Sequence, residues 1–201
     1  MPPHITSIRF AALAIAGLLA ATPAGAQTVT NGDFATGNLT GWTANAEVSV
    51  GLNYVGSPFV NTTGTGDMAF FGAGETASIG SISQSFTTVI GEVYGLAFLY
   101  GATGNPDLSP TAQSLHVTAG DLDVTVGPAA ATTDNAALLT PYSFSFTATS
   151  TTTTLTFTDV SAGGSSVDGV LDEITVPEPA SLALLGLGLA GLAGIRRRLR
   201  A

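Results

Sequence analysis

The chain has 201 residues, enough for one domain of ordinary size with additional segments. It contains no cysteine, which excludes disulfide bonds, thiolate metal sites and cysteine nucleophiles. Residues 27–176 carry thirteen Asp and Glu residues and no Lys or Arg. Binding to nucleic acid requires basic side chains that neutralise phosphates, so nucleic acid is excluded as a partner of this stretch.

The first 26 residues have the organisation of a secretory signal. Arg9 precedes a short apolar core at 10–21, and Ala24 and Ala26 form an A-x-A cleavage site. Twelve apolar residues in a helix span about 18 Å, whereas a bilayer core is about 30 Å thick, so a permanent anchor is disfavoured. We therefore predict that residues 1–26 are removed during export.

The middle of the chain is predicted to consist of β-strands. Apolar and polar residues alternate with a period of two, and no convincing amphipathic helix occurs between the signal and residue 180. The predicted strands are 47–50, 79–86, 93–100, 115–119, 122–126, 142–148, 153–158 and 171–176. Long loops are predicted at 103–111 and 127–139. Eight or nine short strands separated by turns indicate an all-β domain at 27–176, folded as a two-sheet β-sandwich.

The last 25 residues, 177–201, divide into three parts. A short proline-containing segment is followed by an uncharged apolar stretch at 180–195, predicted as a transmembrane helix, and then by a basic cluster. Sixteen helical residues reach about 24 Å, which is short for a bilayer. The positive-inside rule keeps the arginines in the cytoplasm and places the preceding domain outside. These arginines are Arg196, Arg197, Arg198 and Arg200.

This C-terminal segment closely resembles the PEP-CTERM sorting signal of Gram-negative bacteria. The resemblance rests on Pro177, Glu178 and Pro179, followed by a Leu/Gly/Ala helix and an arginine cluster. It implies that an exosortase, a membrane-embedded transpeptidase-like enzyme, recognises the three motif residues after the secretion machinery has exported the chain. Anchoring in the inner membrane would then be transient, and the protein would end at the cell surface or outside the cell. Carriers of this signal are associated with exopolysaccharide and biofilm. The alternative is a proline-rich stop before an ordinary tail anchor.

A second resemblance covers the domain between the two ends. Residues 31–42 are similar to the NGDFE-x-G-x-x-x-GW opening of galactose-binding-like jelly rolls. Residues 82–94 resemble the Q-x-F…G-x-x-Y strand pair of that group, and 171–176 resemble its closing strand. Carbohydrate-binding modules share this fold, so the resemblance implies a jelly-roll β-sandwich. It also implies that Trp42, the only tryptophan, belongs to the core.

The same resemblance implies a structural calcium ion between the opening loop and the closing strand. Asp33 and Asp172 match these two regions, and Asn38 or a loop carbonyl could assist, because calcium prefers oxygen ligands. Ala35 stands where the group carries an acidic residue, so one usual ligand is missing. In the alternative interpretation Asp33 caps a turn and Asp172 is a carboxylate at a strand edge.

Sugar sites use exposed aromatic rings that stack on pyranose rings. Tyr54, Phe59 and Tyr100 lie in or beside predicted loops and are the candidates for glycan binding. A nucleophile–histidine–carboxylate device is poorly supported, because the domain contains only His116, which alternation places on the polar face of its strand.

The sequence therefore predicts a non-enzymatic exported protein of the cell surface or extracellular matrix. A calcium-assisted glycan-binding module is the alternative. A glycoside hydrolase that uses a pair of carboxylates is the least favoured class.

Overall fold

A computed structural model describes residues 29–45, 47–52, 66–72, 80–104, 112–130, 139–161 and 167–177. These ranges contain ten β-strands and no helix. The strands are β1 (Thr43–Ala44), β2 (Val48–Leu52), β3 (Asp67–Phe71), β4 (Ser81–Thr87), β5 (Val93–Gly104), β6 (Gln113–Ala119), β7 (Leu122–Ala129), β8 (Thr140–Thr147), β9 (Thr152–Asp159) and β10 (Val167–Thr175).

The strands form two antiparallel five-stranded sheets. Sheet A has the order β1-β4-β9-β6-β7, and sheet B has the order β2-β3-β10-β5-β8. Strand β4 pairs with β9 in sheet A, while β10 lies between β3 and β5 in sheet B. The chain therefore passes repeatedly between the sheets, and the predicted all-β, two-sheet sandwich is confirmed.

Each of the eight predicted strands is found, with shifts of a few residues at the ends. Two predicted loops begin later than expected, because Thr103 and Gly104 extend β5 and residues 127–129 extend β7. The rest of the two loops, 105–111 and 131–138, lies outside the described residues.

The main core lies between the sheets, where the inward-facing residues of the alternating strands meet. Trp42 packs between Phe34 and Phe157, with ring centroids 6.0 and 6.2 Å apart, which confirms its predicted place in the core. Phe98 contacts Phe157 edge to face at 5.2 Å and thereby joins sheet B to sheet A. This aromatic packing anchors the opening loop to both sheets.

A second, smaller apolar cluster explains why β3 was not predicted. Met68 and Val170 are fully buried and pack with Leu99 and Leu139 in this cluster, whereas Ala69 belongs to the main core. Neighbouring side chains of β3 are therefore buried on opposite faces of sheet B. A strand that is buried on both faces has no polar–apolar alternation, so the period of two is absent from its sequence.

Candidate functional site

The opening loop and the closing strand are in direct backbone contact. The Ile174 N–H donates to the Gly32 carbonyl oxygen at 2.9 Å. The contact is so close that a Cβ atom on Gly32 would lie 2.1 Å from the Ile174 carbonyl oxygen. Strand β10 is irregular between Asp172 and Thr175, and Glu173 adopts a left-handed φ of 54° there. This bulge turns the end of β10 toward the opening loop.

Gln84 fastens both ends of the opening loop. Its amide nitrogen donates to the carbonyl oxygens of Thr30, at 3.0 Å, and Gly41, at 2.9 Å. Its amide oxygen accepts from the Thr30 N–H at 2.7 Å. The indole nitrogen of Trp42 adds a bond to the Asn31 carbonyl at 3.1 Å. The sequence contains a signal for this role, because Gln84 is a polar residue at an inward-facing position of an alternating strand.

Two of the expected calcium ligands are engaged within the loop itself. The Asp33 Oδ1 accepts from the Ala35 N–H at 3.3 Å, as the turn-capping alternative expects. The Asn38 Oδ1 accepts from the Thr40 N–H at 2.8 Å and also from the hydroxyls of Thr36 and Thr40. These oxygens therefore serve first to hold the loop in shape.

Two other carboxylates lie at the junction between the loop and sheet B. Asp172 is fully buried, and its Oδ1 accepts from the Glu173 N–H at 2.8 Å. Asp67 begins β3, the strand that pairs with β10, and its Oδ2 would lie 4.0 Å from a Cβ atom on Gly37. Its Oδ1 is buried and has no hydrogen-bond partner in the described part of the chain. Sequence reasoning did not identify Asp67.

These residues meet only part of the requirement for calcium, which takes six to eight oxygen ligands. The described ranges contain no group of three or more His, Asp or Glu side chains that could hold a metal ion. Any ion at this junction would therefore draw most of its ligands from loop carbonyls and water. Asp67 is the best-fitting protein ligand, because its buried oxygen needs a partner.

The opposite end of the sandwich buries three polar side chains. Tyr100 is 1% exposed, so its ring faces are not accessible to a sugar, contrary to the expectation from the sequence. The Tyr100 hydroxyl, both amide atoms of Gln113 and the Asp159 Oδ2 have no hydrogen-bond partner among the described residues. Burial, and then the Asp159 carboxylate, raise the pKa of Tyr100 well above its ordinary value.

The other candidate aromatic residues, Tyr54 and Phe59, lie outside the described residues. Among the described aromatic side chains, Phe70, Tyr142 and Phe144 are partly exposed. Tyr142 and Phe144 lie on the edge strand β8, where their rings are nearly parallel at a centroid distance of 6.4 Å. Both rings pack against the main core, and their place on an edge strand leaves them partly open to solvent.

His116 lies on the outer face of sheet A, as its alternation predicts. Its Nε2 is 2.7 Å from the Oδ1 of Asp123, which is well exposed. The nearby Asp121 Oδ1 accepts from the Thr147 N–H at 2.6 Å. Hydrogen bonding to Thr147 lowers the pKa of Asp121. These contacts join the β6–β7 turn to the end of β8.

An open apolar cavity of about 290 Å³ lies where the first and the last described residues of the domain come together. Its lining residues are Val29, Ile174, Thr175, Val176 and Pro177. Of the three predicted recognition residues, Pro177, Glu178 and Pro179, the structure describes Pro177. Glu178, Pro179, the segment 180–195, the arginine cluster and the cleavage residues Ala24 and Ala26 lie outside the described residues. None of the described residues belongs to a helix long and apolar enough to cross a membrane.

The fold of this sandwich is similar to the folds of several solved structures. The chain is similar to TmCBM61 in complex with β-1,4-galactotriose, with a TM-score of 0.54 and 14% identity over 76% of this chain and 99% of the other. A cleaved adhesin domain of Lys-gingipain from Porphyromonas gingivalis follows at 0.48, with 14% identity over 68% and 89%. A carbohydrate binding module from Cellvibrio mixtus lichenase gives 0.43, with 11% identity over 70% and 94%. The match to TmCBM61 agrees with the two five-stranded sheets, and the predicted jelly-roll β-sandwich fold is confirmed.

The C-terminal resemblance is also confirmed. Residues 175–198 match the PEP-CTERM protein-sorting motif, and no curated protein matches the chain significantly. The motif implies export and a C-terminal membrane-anchored sorting signal that an exosortase processes. The match begins at Thr175, the last residue of β10, so the signal follows the sandwich directly.

Proposed function

We propose that this chain is a non-enzymatic exported protein that is displayed at the cell surface or in the extracellular matrix, where it binds extracellular polysaccharide. The observation that carries this proposal is the direct attachment of a sorting signal to a sandwich with the fold of carbohydrate-binding modules. The sorting signal bears on where the domain is delivered, and the class of its ligand is inferred by analogy of fold with carbohydrate-binding modules.

The surface with the best chemistry for a sugar is the pair Tyr142 and Phe144 on β8. The two rings are partly exposed and nearly parallel, and Phe98 supports both of them from within the core at 5.6 and 6.1 Å. Aromatic rings held rigidly in this way can stack on pyranose rings at a small cost in conformational entropy. Tyr54 and Phe59 stay candidates for the same role.

We include calcium in the proposal as a structural ion at the junction of opening loop and closing strand. Asp67 and Asp172 would hold it, with loop carbonyls and water as the further oxygen ligands. The buried, unpartnered oxygen of Asp67 supports this assignment. The ion would join the loop to sheet B and offset some of the thirteen negative charges of residues 27–176.

Co-sedimentation of the purified protein with the polysaccharide that the producing cells secrete tests this function. We expect retention by the polysaccharide without release of reducing sugar. Tyr142→Leu should lower retention about tenfold, because the loss of about 1.4 kcal/mol of ring contact with the sugar is a tenfold loss of affinity. The matched control is Phe70→Leu, which changes a partly exposed aromatic residue on another strand. Equal effects of both substitutions would exclude the Tyr142–Phe144 pair as the site.

Repeating the experiment with calcium and with a chelator separates the two parts of the proposal. Loss of retention with the chelator, reproduced by Asp67→Asn but not by Asp123→Asn, would support the calcium site. Retention that a chelator leaves unchanged would exclude calcium as its cause. If no retention occurs under either condition, the protein acts through display alone, with another protein as its partner.

The sorting part of the proposal has its own experiment. Replacing Pro177, Glu178 and Pro179 together by alanine should keep the chain in the membrane fraction of the producing cells, because an exosortase would no longer recognise it. The unchanged chain should appear at the cell surface or in the medium. Identical fractionation of both chains would overturn exosortase processing.

A further inference from the structure

Four large aliphatic side chains are strongly exposed in the described ranges, and three of them are close together. Val89, Ile90 and Val93 are 43%, 62% and 57% exposed and surround the turn between β4 and β5. We call these three residues the aliphatic tip. The fourth, Val160, is 49% exposed and follows the end of β9. Grouped aliphatic side chains in solvent point to an interaction surface, whereas a single one does not.

The aliphatic tip is held rigidly in its exposed position. The Val89 N–H donates to the Tyr94 hydroxyl at 2.9 Å. The Gly91 N–H donates to the Ala148 carbonyl at 2.8 Å, and the Glu92 carbonyl accepts from the Ala148 N–H at 3.0 Å. The turn is thus bonded on both sides to the neighbouring β8–β9 connection. It cannot fold its aliphatic side chains back onto the sandwich without breaking these bonds.

The sorting signal leaves the domain at the same end of the sandwich. Strand β10 runs antiparallel to β5, with Thr175 opposite Ala97. Beyond this pair, the Pro177 ring lies 3.9 Å from a Cβ atom placed on Gly95. The chain therefore leaves the sandwich alongside the beginning of β5, in the direction of Val93.

The distance from this exit to the membrane segment is short. The apolar stretch begins at residue 180, three residues after Pro177, and three extended residues span about 10 Å. While the stretch at 180–195 is in the bilayer, this end of the domain must lie close to the lipid surface. The open apolar cavity beside Pro177 adds to the apolar character of the same end.

We propose that the aliphatic tip inserts into the bilayer interface while the sorting signal is anchored, so that the domain rests on the membrane with this end down. The proposal depends on the membrane anchoring in the proposed function. Lipid is the expected partner because the apolar segment of the same chain continues into it. Charge cannot provide the contact, since residues 27–176 have no Lys or Arg and Glu92 and Asp121 are acidic. Added salt should therefore not weaken the contact.

The absence of cysteine from the chain allows a direct test. The full chain with Ile90→Cys or, as the matched control, Val160→Cys is labelled with an environment-sensitive fluorophore and reconstituted into vesicles of phosphatidylethanolamine and phosphatidylglycerol. Seven residues of β4 separate the two ends of the sandwich, or about 23 Å, so only one label can reach the lipid. Brominated lipid should quench the label at position 90 at least three times more than the label at 160. Val93→Cys should behave like Ile90→Cys.

Equal quenching at positions 90 and 160 in chains that float with the vesicles would overturn the tip contact and leave anchoring intact. Chains that do not float with the vesicles would overturn the anchoring and the tip contact together. Shielding of position 90 only in membranes that contain an exosortase would assign the surface to that enzyme and overturn the lipid contact. Quenching at position 90 that disappears in high salt would also contradict the proposal, because its cause would be electrostatic.

Discussion

Sheet A buries two glutamine side chains in inward-facing positions. The amide group of one is fully hydrogen-bonded, whereas the amide group of the other has no hydrogen-bond partner among the described residues. Gln84, at the opening-loop end, makes three hydrogen bonds to the backbone of the opening loop. Gln113 is completely buried at the far end, and neither of its amide atoms has a hydrogen-bond partner in the described ranges. Identical side chains in one sheet therefore act as a structural tie in one place and as an unsatisfied polar group in the other.

The two ends of the sandwich differ in how many of their buried polar groups are hydrogen-bonded. At the opening-loop end, backbone contacts and side-chain bonds hold the loop, β4 and β10 together. At the far end, Tyr100, Gln113 and Asp159 bring polar atoms into the interior without partners among the described residues. Among the described residues, the opening-loop end has one such atom, the Asp67 Oδ1, whereas the far end has four. An unsatisfied buried polar group costs about 1–3 kcal/mol, so the opening-loop end should contribute more to stability. The substitutions below test this difference.

The largest effect is expected for Gly32→Ala. The added Cβ would lie 2.1 Å from the Ile174 carbonyl oxygen, so the loop and β10 must separate. We expect a loss of about 3 kcal/mol or more in the free energy of unfolding, measured by urea denaturation. The control is Gly95→Ala, whose Cβ would meet Pro177 at an ordinary distance of 3.9 Å. Equal stability of the two variants would show that the Gly32–Ile174 contact does not hold the domain together.

Gln84→Met should have the next largest effect. Methionine fills a similar volume but leaves the Thr30 N–H and the carbonyls of Thr30 and Gly41 without their partner. We expect a loss of about 2–3 kcal/mol in the free energy of unfolding. Hydrogen exchange should also become faster in residues 30–42 than in β6, because the opening loop is released first. Uniform exchange throughout the domain would contradict a local role for Gln84.

Gln113→Met should change stability in the opposite direction. The substitution removes two buried polar atoms that have no partner among the described residues, so we expect a gain of about 1 kcal/mol. Urea denaturation beside Gln84→Met compares the two glutamines directly. A loss of stability would mean that a bound water molecule or ion satisfies Gln113, which would remove the difference between the two ends.

Tyr100→Phe probes the far end by pH. The pKa of Tyr100 is raised in the folded state above its ordinary value of 10.0, so the folded state favours the neutral phenol. This contribution to stability is fully present below pH 10 and is lost as the pH rises above it. We expect the unchanged protein to lose stability above about pH 10 and Tyr100→Phe to lose less, with a difference of at most about 1 kcal/mol at neutral pH. Parallel pH profiles would place the Tyr100 hydroxyl in contact with solvent.

Strands could be predicted from the sequence wherever one of their faces is exposed to solvent. Strands β4, β6 and β9 show alternation because one face of each is partly exposed to solvent, whereas β3 is covered on both sides and has none. Tyr100 was placed beside a loop, at the end of the predicted strand 93–100. Both faces of β5 are buried from Phe98 to Thr103, and the strand in fact continues to Gly104. Long-range pairing of strands, which no local pattern encodes, decides both cases.

The candidate site was predicted less completely for a similar reason. The sequence resemblance identified the opening loop and the closing strand, and the Gly32–Ile174 contact joins them in space. It did not identify Asp67, because this carboxylate reaches the junction only through the pairing of β3 with β10. Gln84 could have been identified from the sequence, because a polar side chain at an inward-facing position needs a hydrogen-bond partner to avoid a loss of stability.

The smallest expected effect concerns Asp121, an exposed residue at the opening-loop end. The Thr147 N–H donates to its carboxylate at 2.6 Å and lowers its pKa below the ordinary value of 3.8. A group with a lowered folded-state pKa stabilises the protein above its unfolded pKa, and this contribution is lost as the pH falls through the folded value. Asp121→Ala should therefore be less stable than the unchanged protein at pH 7, and the difference should shrink below about pH 4. Asp121→Asn is the control, because it keeps an oxygen acceptor for Thr147 without a charge. If Asp121→Ala lowers the free energy of unfolding by the same amount at pH 7 and at pH 2, the charge of the carboxylate contributes nothing to stability. The Asp121 side chain would then act only through its packing and its neutral hydrogen bond to Thr147.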